Sequence, residues 1–140
     1  MRAISIITLG VRDLEASSRF YEGLGFTKSE KSNNSITWFK TDSTALALYP
    51  WHSLAKDAGL PQTGTGFRGV TCALNQQSKE QVNQLIETAR KLGGKIIKEP
   101  TPAFWGGYSS YFTDPDDHLW EVAWNPFTAV DEAGNLTIEK

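Results

Sequence analysis

The chain has 140 residues, of which 39% are hydrophobic and 21% charged, and its net charge is −2. That is long enough and apolar enough to bury a core without disulfide or metal staples, and it excludes an intrinsically disordered chain. No basic cluster supports nucleic-acid binding, no apolar stretch approaches the length of a membrane span, and Cys72, the lone cysteine, rules out an internal disulfide.

Ile4–Val11 reads as a strand that begins almost at Met1 without a signal-peptide cleavage pattern, so a cytoplasmic protein is expected. Asp13 offers an N-cap carboxylate to a helix whose apolar stripe is Leu14, Ser17, Phe20, Tyr21 and Leu24, ended by Gly25. Phe26–Glu30, Ile36–Lys40 and Thr44–Tyr49 read as three further strands. The stretch 51–66 is rich in Gly and Pro and reads as a linker, with a short helical turn over His52–Ala58.

The same order of elements then repeats. Phe67–Leu74 reads as a strand. Ser78 opens a helix with a capping box to Gln81 and an apolar stripe of Val82, Leu85, Ile86, Ala89 and Leu92. Lys95–Lys98 reads as a strand that Glu99-Pro100-Thr101-Pro102 ends; Gly107–Thr113 and Leu119–Trp124 follow, joined by an Asp114-Pro115 turn. The expectation is an α+β fold of two tandem βαβββ modules, forming a curved mixed sheet around a cavity with the helices outside. Its single domain spans 1–126, with modules at 1–50 and 67–126, and leaves a tail at 127–140 with a small hairpin near Glu132–Asn135.

Val11-Arg12-Asp13-Leu14, Phe20-Tyr21 and Leu24-Gly25-Phe26, followed far downstream by Tyr111-Phe112-Thr113-Asp114-Pro115-Asp116-Asp117-His118-Leu119-Trp120-Glu121, resemble the paired signatures of the glyoxalase/bleomycin-resistance (vicinal oxygen chelate) superfamily. The resemblance covers roughly residues 1 to 126 and implies the fold more firmly than any reaction, because the scaffold hosts lyases, isomerases, dioxygenases and drug-sequestering proteins. The family has Gly where Asp117 stands, which implies a positive φ there.

By the same resemblance, metal-dependent relatives place four ligands on the inner face of the sheet. Here those positions fall on Ile6, on Leu46 or Leu48, on Gly69 or Thr71, and on Glu121; only Glu121 is a ligand-type residue. One carboxylate does not make a site that needs about three protein ligands, so no metal ligand set and no cofactor are expected. His118, one residue ahead of the last strand, reads as a turn residue.

Strand alternation puts Leu119, Glu121 and Ala123 on one face and Trp120, Val122 and Trp124 on the other, toward the helix. The resemblance adds Tyr111 and Ser109 to the inner face, with Ile6, Thr8, Leu48 and Thr71 as further lining and Trp105 at a glycine-bounded rim. The expected site is a cavity with apolar walls and a few polar points, suited to a small organic ligand that is uncharged or cationic. Glu121 is either its polar anchor, and the one candidate catalytic base, or a structural residue held by a neighbouring hydroxyl. Trp105 is either a rim residue or a cover for the sheet edge. The expected protein is a homodimer binding a small molecule; the alternative is a metal-dependent lyase, isomerase or dioxygenase of the same superfamily with a rearranged site.

Overall fold

The computed structural model describes residues 2–136, which divide into two compact units with the boundary between Gly66 and Phe67. In the first, β1 (Ile6–Val11) leads through α1 (Leu14–Gly23) to β2 (Thr27–Lys28), β3 (Thr37–Lys40), β4 (Ala45–Pro50) and α2 (Trp51–Ala58). In the second, β5 (Cys72–Asn75) leads through α3 (Lys79–Lys91) to β6 (Lys95–Pro102), β7 (Tyr108–Thr113) and β8 (Leu119–Trp124). The two sheets have the same order, β1-β4-β3-β2 and β5-β8-β7-β6, each with one parallel pair between its first and last strands. The fold is α+β, and the βαβββ repeat is its organising unit. No described helix is long and apolar enough to cross a membrane.

Local chemistry sets the helix boundaries. Asp13 Oδ1 accepts the Ala16 N–H at 2.9 Å and starts α1. Ser78 Oγ accepts the Gln81 N–H at 3.2 Å and starts α3, while the Gln81 side chain reaches back to the Gln77 N–H rather than to that of Ser78. Gly25 and Gly93, both at positive φ, follow the two helices. Each helix lays its apolar stripe on one face of its own sheet. Phe20 and Tyr21 are buried, with Tyr21 packed edge-on to Phe26 and against Phe39 of β3. Val82, Ile86 and Ala89 are buried in the second unit, where Phe112 and Trp120 stack on the same side of the sheet. Leu24 and Leu85 are only half-buried.

The structure departs from the sequence reading in three strands. The strand expected over Phe67–Leu74 begins only at Cys72, because Gly66 and Gly69 take positive φ and keep the chain between them out of the ladder. The strand expected to stop at Lys98 runs on to Pro102: β6 is the outer strand of its sheet, where Pro100 and Pro102 need no N–H for a ladder bond, and two register shifts absorb the irregularity. The strand expected over Phe26–Glu30 shrinks to Thr27–Lys28. The helical turn read into the linker is a full helix, Trp51–Ala58, closed by Gly59 in the left-handed conformation. In the tail, Val130 and Leu136 form a single antiparallel bridge around an Asp131-centred turn.

Candidate functional site

The second sheet has one face under α3 and one face free of it. The helix side is marked by the Phe112–Trp120 stack and by the Tyr108 hydroxyl, which donates to Asn83 Oδ1 on α3 at 2.7 Å. Alternation therefore turns Ser109, Tyr111 and Thr113 of β7, and Leu119, Glu121 and Ala123 of β8, to the other face. Tyr111 and Glu121 are directly opposite each other in the antiparallel ladder, and the Tyr111 hydroxyl donates to Glu121 Oε2 at 3.1 Å. The pair is half-buried, and Glu121 Oε1 has no partner among the described residues. Burial raises the Tyr111 pKa above the ordinary tyrosine value, and the charge and hydrogen bond of Glu121 raise it further. Tyr111 is thus held neutral as a donor, and Glu121 offers one unused acceptor oxygen beside it.

Two features extend this arrangement. On β5, Ala73 pairs with Glu121 and is exposed, so a small side chain leaves room beside the carboxylate. On β7, Thr113 is buried on the same face with its Oγ1 lacking a hydrogen-bond partner among the described residues. The face is more polar than the apolar-walled cavity expected from sequence, since Ser109, Tyr111, Thr113 and Glu121 lie on it.

The other expected site residues distribute as follows. Thr71 precedes β5, is exposed, and donates its hydroxyl to the Leu119 carbonyl at 3.3 Å. Trp105 lies in the β6–β7 connection, 37% exposed, with its ring laid so closely over Gly107 that a Cβ there would stand 1.8 Å from a ring carbon. Glycine at 107 is what allows the indole to seat on the backbone. Ile6 and Thr8 belong to the first unit and are exposed on the face of β1 away from α1, the face on which Gly10 packs against Trp51 and Leu54 of α2. Leu48 does not join them. It is fully buried, opposite Thr37 in the β3–β4 ladder, and Thr37 shares a 2.7 Å hydroxyl contact with Ser18 of α1. Leu46 and Leu48 therefore line the core beneath α1, and the positions of β4 level with Ile6 and Thr8 are Ala45 and Ala47. The parity of Leu48 corrects the sequence reading: large residues of Ala45-Leu46-Ala47-Leu48 face the helix and small ones face away.

The turn between β7 and β8 is built as its sequence implies. Asp114 Oδ1 accepts the N–H groups of Asp116 (2.9 Å) and His118 (2.8 Å), and Asp117 sits at φ 64°. His118 Nδ1 lies 3.2 Å from Nη2 of Arg68, which also donates to the Asp116 carbonyl at 3.0 Å. Sequence reasoning missed Arg68, which ties the irregular segment before β5 to this turn. Cys72, half-buried, has its thiol pKa raised by burial, the opposite of an activated nucleophile. Among the described residues no three His, Cys, Asp or Glu side chains converge to hold a metal ion. The donor set around Glu121, one carboxylate already bonded to a tyrosine hydroxyl, does not fit a transition-metal centre.

Comparison with known proteins agrees with this fold. A family model described as the Glyoxalase/Bleomycin resistance protein/Dioxygenase superfamily matches residues 3–122. A glyoxalase-related enzyme from Fulvimarina pelagi superposes with a TM-score of 0.88 at 31% identity, covering 100% of both chains. The hypothetical protein SA1046 from S. aureus superposes at 0.79 with 25% identity, over 89% of this chain and 94% of that one. A Bacillus subtilis (strain 168) protein described as uncharacterized, YqjT, is 29% identical over 117 residues, 79% of this chain and 89% of its own.

Proposed function

The chain belongs to the Glyoxalase/Bleomycin resistance protein/Dioxygenase superfamily, and on that premise we propose that it binds a small organic molecule on the helix-free face of its second sheet, anchored by Glu121. The observation that carries the reading is the hydrogen bond between the half-buried Tyr111 and Glu121 on the face away from α3, which orients the carboxylate and leaves Oε1 unused. Glu121 is held by Tyr111 through Oε2 alone, and its other oxygen is an acceptor beside the small side chain of Ala73. A ligand amine or hydroxyl completes it. In a reacting complex the same oxygen would take a proton from the ligand. The donor set around Glu121 supports binding without a tightly held metal, and metal analysis of the purified protein distinguishes this from a metal-dependent lyase, isomerase or dioxygenase.

The test is a thermal-shift screen of small amines, alcohols and drug-like cations against the native protein and its Glu121→Gln variant. A ligand that binds only the folded state raises Tm in proportion to the logarithm of its concentration. The expected result is a set of compounds that raise Tm of the native protein and lose that effect in the variant, whose own Tm is unchanged because the side-chain shape is kept. Hits that stabilise both proteins equally return Glu121 to a purely structural role.

The same proposal includes a homodimer. β1 and β5 are the outermost strands of their sheets, and Ile4, Ile6, Phe67 and Val70 beside them are exposed. Open edges flanked by large apolar side chains are surfaces that proteins ordinarily cover.

A further inference from the structure

The register of the second sheet carries the ligand face one strand further than the Glu121–Tyr111 pair. Counting along β6, Lys95 pairs with Thr113 and Ile96 with Phe112, so an unbroken ladder would set Ile97 opposite Tyr111 and turn Lys98 toward α3. Instead the register shifts between Ile96 and Lys98, and Lys98 stands opposite Tyr111. A second shift in the same direction, between Lys98 and Thr101, sets Thr101 opposite Ser109. Glu99, on the other side of the pleat, is held by Arg90 of α3 at 2.7 and 2.8 Å. Two irregularities thus flank one lysine and aim it at the open face, a use of bulges that recurs beside functional sites.

The outcome is a single row across four strands: Ala73, Glu121, Tyr111, Lys98. Lys98 is exposed, and its ammonium has no ion-pair or hydrogen-bond partner among the described residues. It lies two strand spacings from Glu121, roughly 10 Å between backbones. That is too far for a direct ion pair between upright side chains, yet both heads are within reach of one small molecule lying across Tyr111.

We propose that this row reads a small zwitterion, with the ligand's ammonium or hydroxyl end at Glu121 Oε1 and its carboxylate end at Lys98. The proposal rests on the Glu121 reading above and adds the anionic end, which neither strand alternation nor the family signature supplies. The competing explanation is that Lys98, like Lys95 on the same outer strand, only discourages edge-to-edge pairing.

Calorimetry with three probes separates these: 6-aminohexanoate, hexylamine, which lacks the carboxylate, and hexanoate, which lacks the amine. Native protein is expected to bind 6-aminohexanoate about fivefold more tightly than hexylamine, the size of effect an exposed charge pair supplies, with the preference shrinking as salt is raised. Lys98→Met is expected to erase that preference while leaving hexylamine affinity and Tm unchanged, whereas Lys95→Met keeps it. Equal affinities in the native protein, no measurable binding of 6-aminohexanoate, or a preference that survives Lys98→Met overturns the proposal. Of these, a surviving preference together with loss of hexylamine binding in Glu121→Gln overturns only the role of Lys98 and leaves the Glu121 reading standing. Hexylamine binding that Glu121→Gln does not weaken removes both.

Discussion

At the scale of single residues, the Tyr111–Glu121 pair makes a prediction independent of any ligand. Burial and the neighbouring carboxylate both favour the protonated phenol, so Tyr111 ionises above the 10.0 of an ordinary tyrosine. The sign is that of a raised folded-state pKa: the stabilisation is complete below the unfolded value and is lost as pH rises through the folded one. An ultraviolet tyrosinate titration, native minus Tyr111→Phe, is expected to show this midpoint above 10, and Glu121→Gln is expected to lower it by removing the charge. A midpoint indifferent to Glu121→Gln contradicts the pairing. Asp117 gives a second prediction. It is the one non-glycine at positive φ among the described residues, at 64°, where the family signature has Gly. Strain relief exceeds the added freedom of the unfolded chain, so Asp117→Gly is expected to stabilise by about 0.5 kcal/mol, read as a higher Tm. That position was legible from sequence because the turn's chemistry is local: an Asp accepting two N–H groups and a Pro at its second position dictate the backbone that follows.

At the scale of elements, what the sequence disclosed depended on whether one face was buried. Helix stripes were plain because Phe20, Tyr21, Val82 and Ile86 recur at the helical period and each helix covers one sheet. β8 was equally plain, since Trp120 and Val122 alternate with half-buried Leu119 and Glu121. β4 was misassigned by one residue, and a one-residue slip exchanges the faces of the whole strand. Leu48→Ala tests the corrected parity: as a fully buried core leucine it is expected to lose about 2–5 kcal/mol of stability in denaturant unfolding. The variant is expected to bind any Glu121-dependent ligand normally; a loss of affinity without loss of stability would restore Leu48 to the ligand face. β6 was illegible in a different way. Its two register shifts follow from no residue pattern, because a bulge leaves the alternation of an exposed outer strand without a buried face to constrain it. Lys98 was therefore passed over as the end of a strand. The truncation of β5 was hidden too: Gly69 announces a break only once its φ of 77° is known.

At the scale of the molecule, the repeated strand order β1-β4-β3-β2 and β5-β8-β7-β6 is the feature that both the sequence pattern and the family match express. The two modules differ in what the sheet faces away from α1 and α3 carry. The first has Ile6, Thr8, Ala45 and the buried Ala47, with α2 packed beside Gly10 on the same face, and the second has Ser109, Tyr111, Thr113 and Glu121. Hydroxyls and charge are concentrated in the second unit, and the proposed ligand chemistry is placed there for that reason. Light scattering of the purified protein at tens of micromolar is expected to give twice the 15.5 kDa chain mass; a monomer mass contradicts the proposed dimer. The measurement that bears most directly on the central claim is amide chemical-shift mapping with the most strongly stabilising compound from the thermal screen. Shifts are expected to centre on Ser109–Thr113 and Leu119–Ala123 and to be absent in Glu121→Gln. Shifts confined to α3 or to the first unit, or undiminished in that variant, would contradict it.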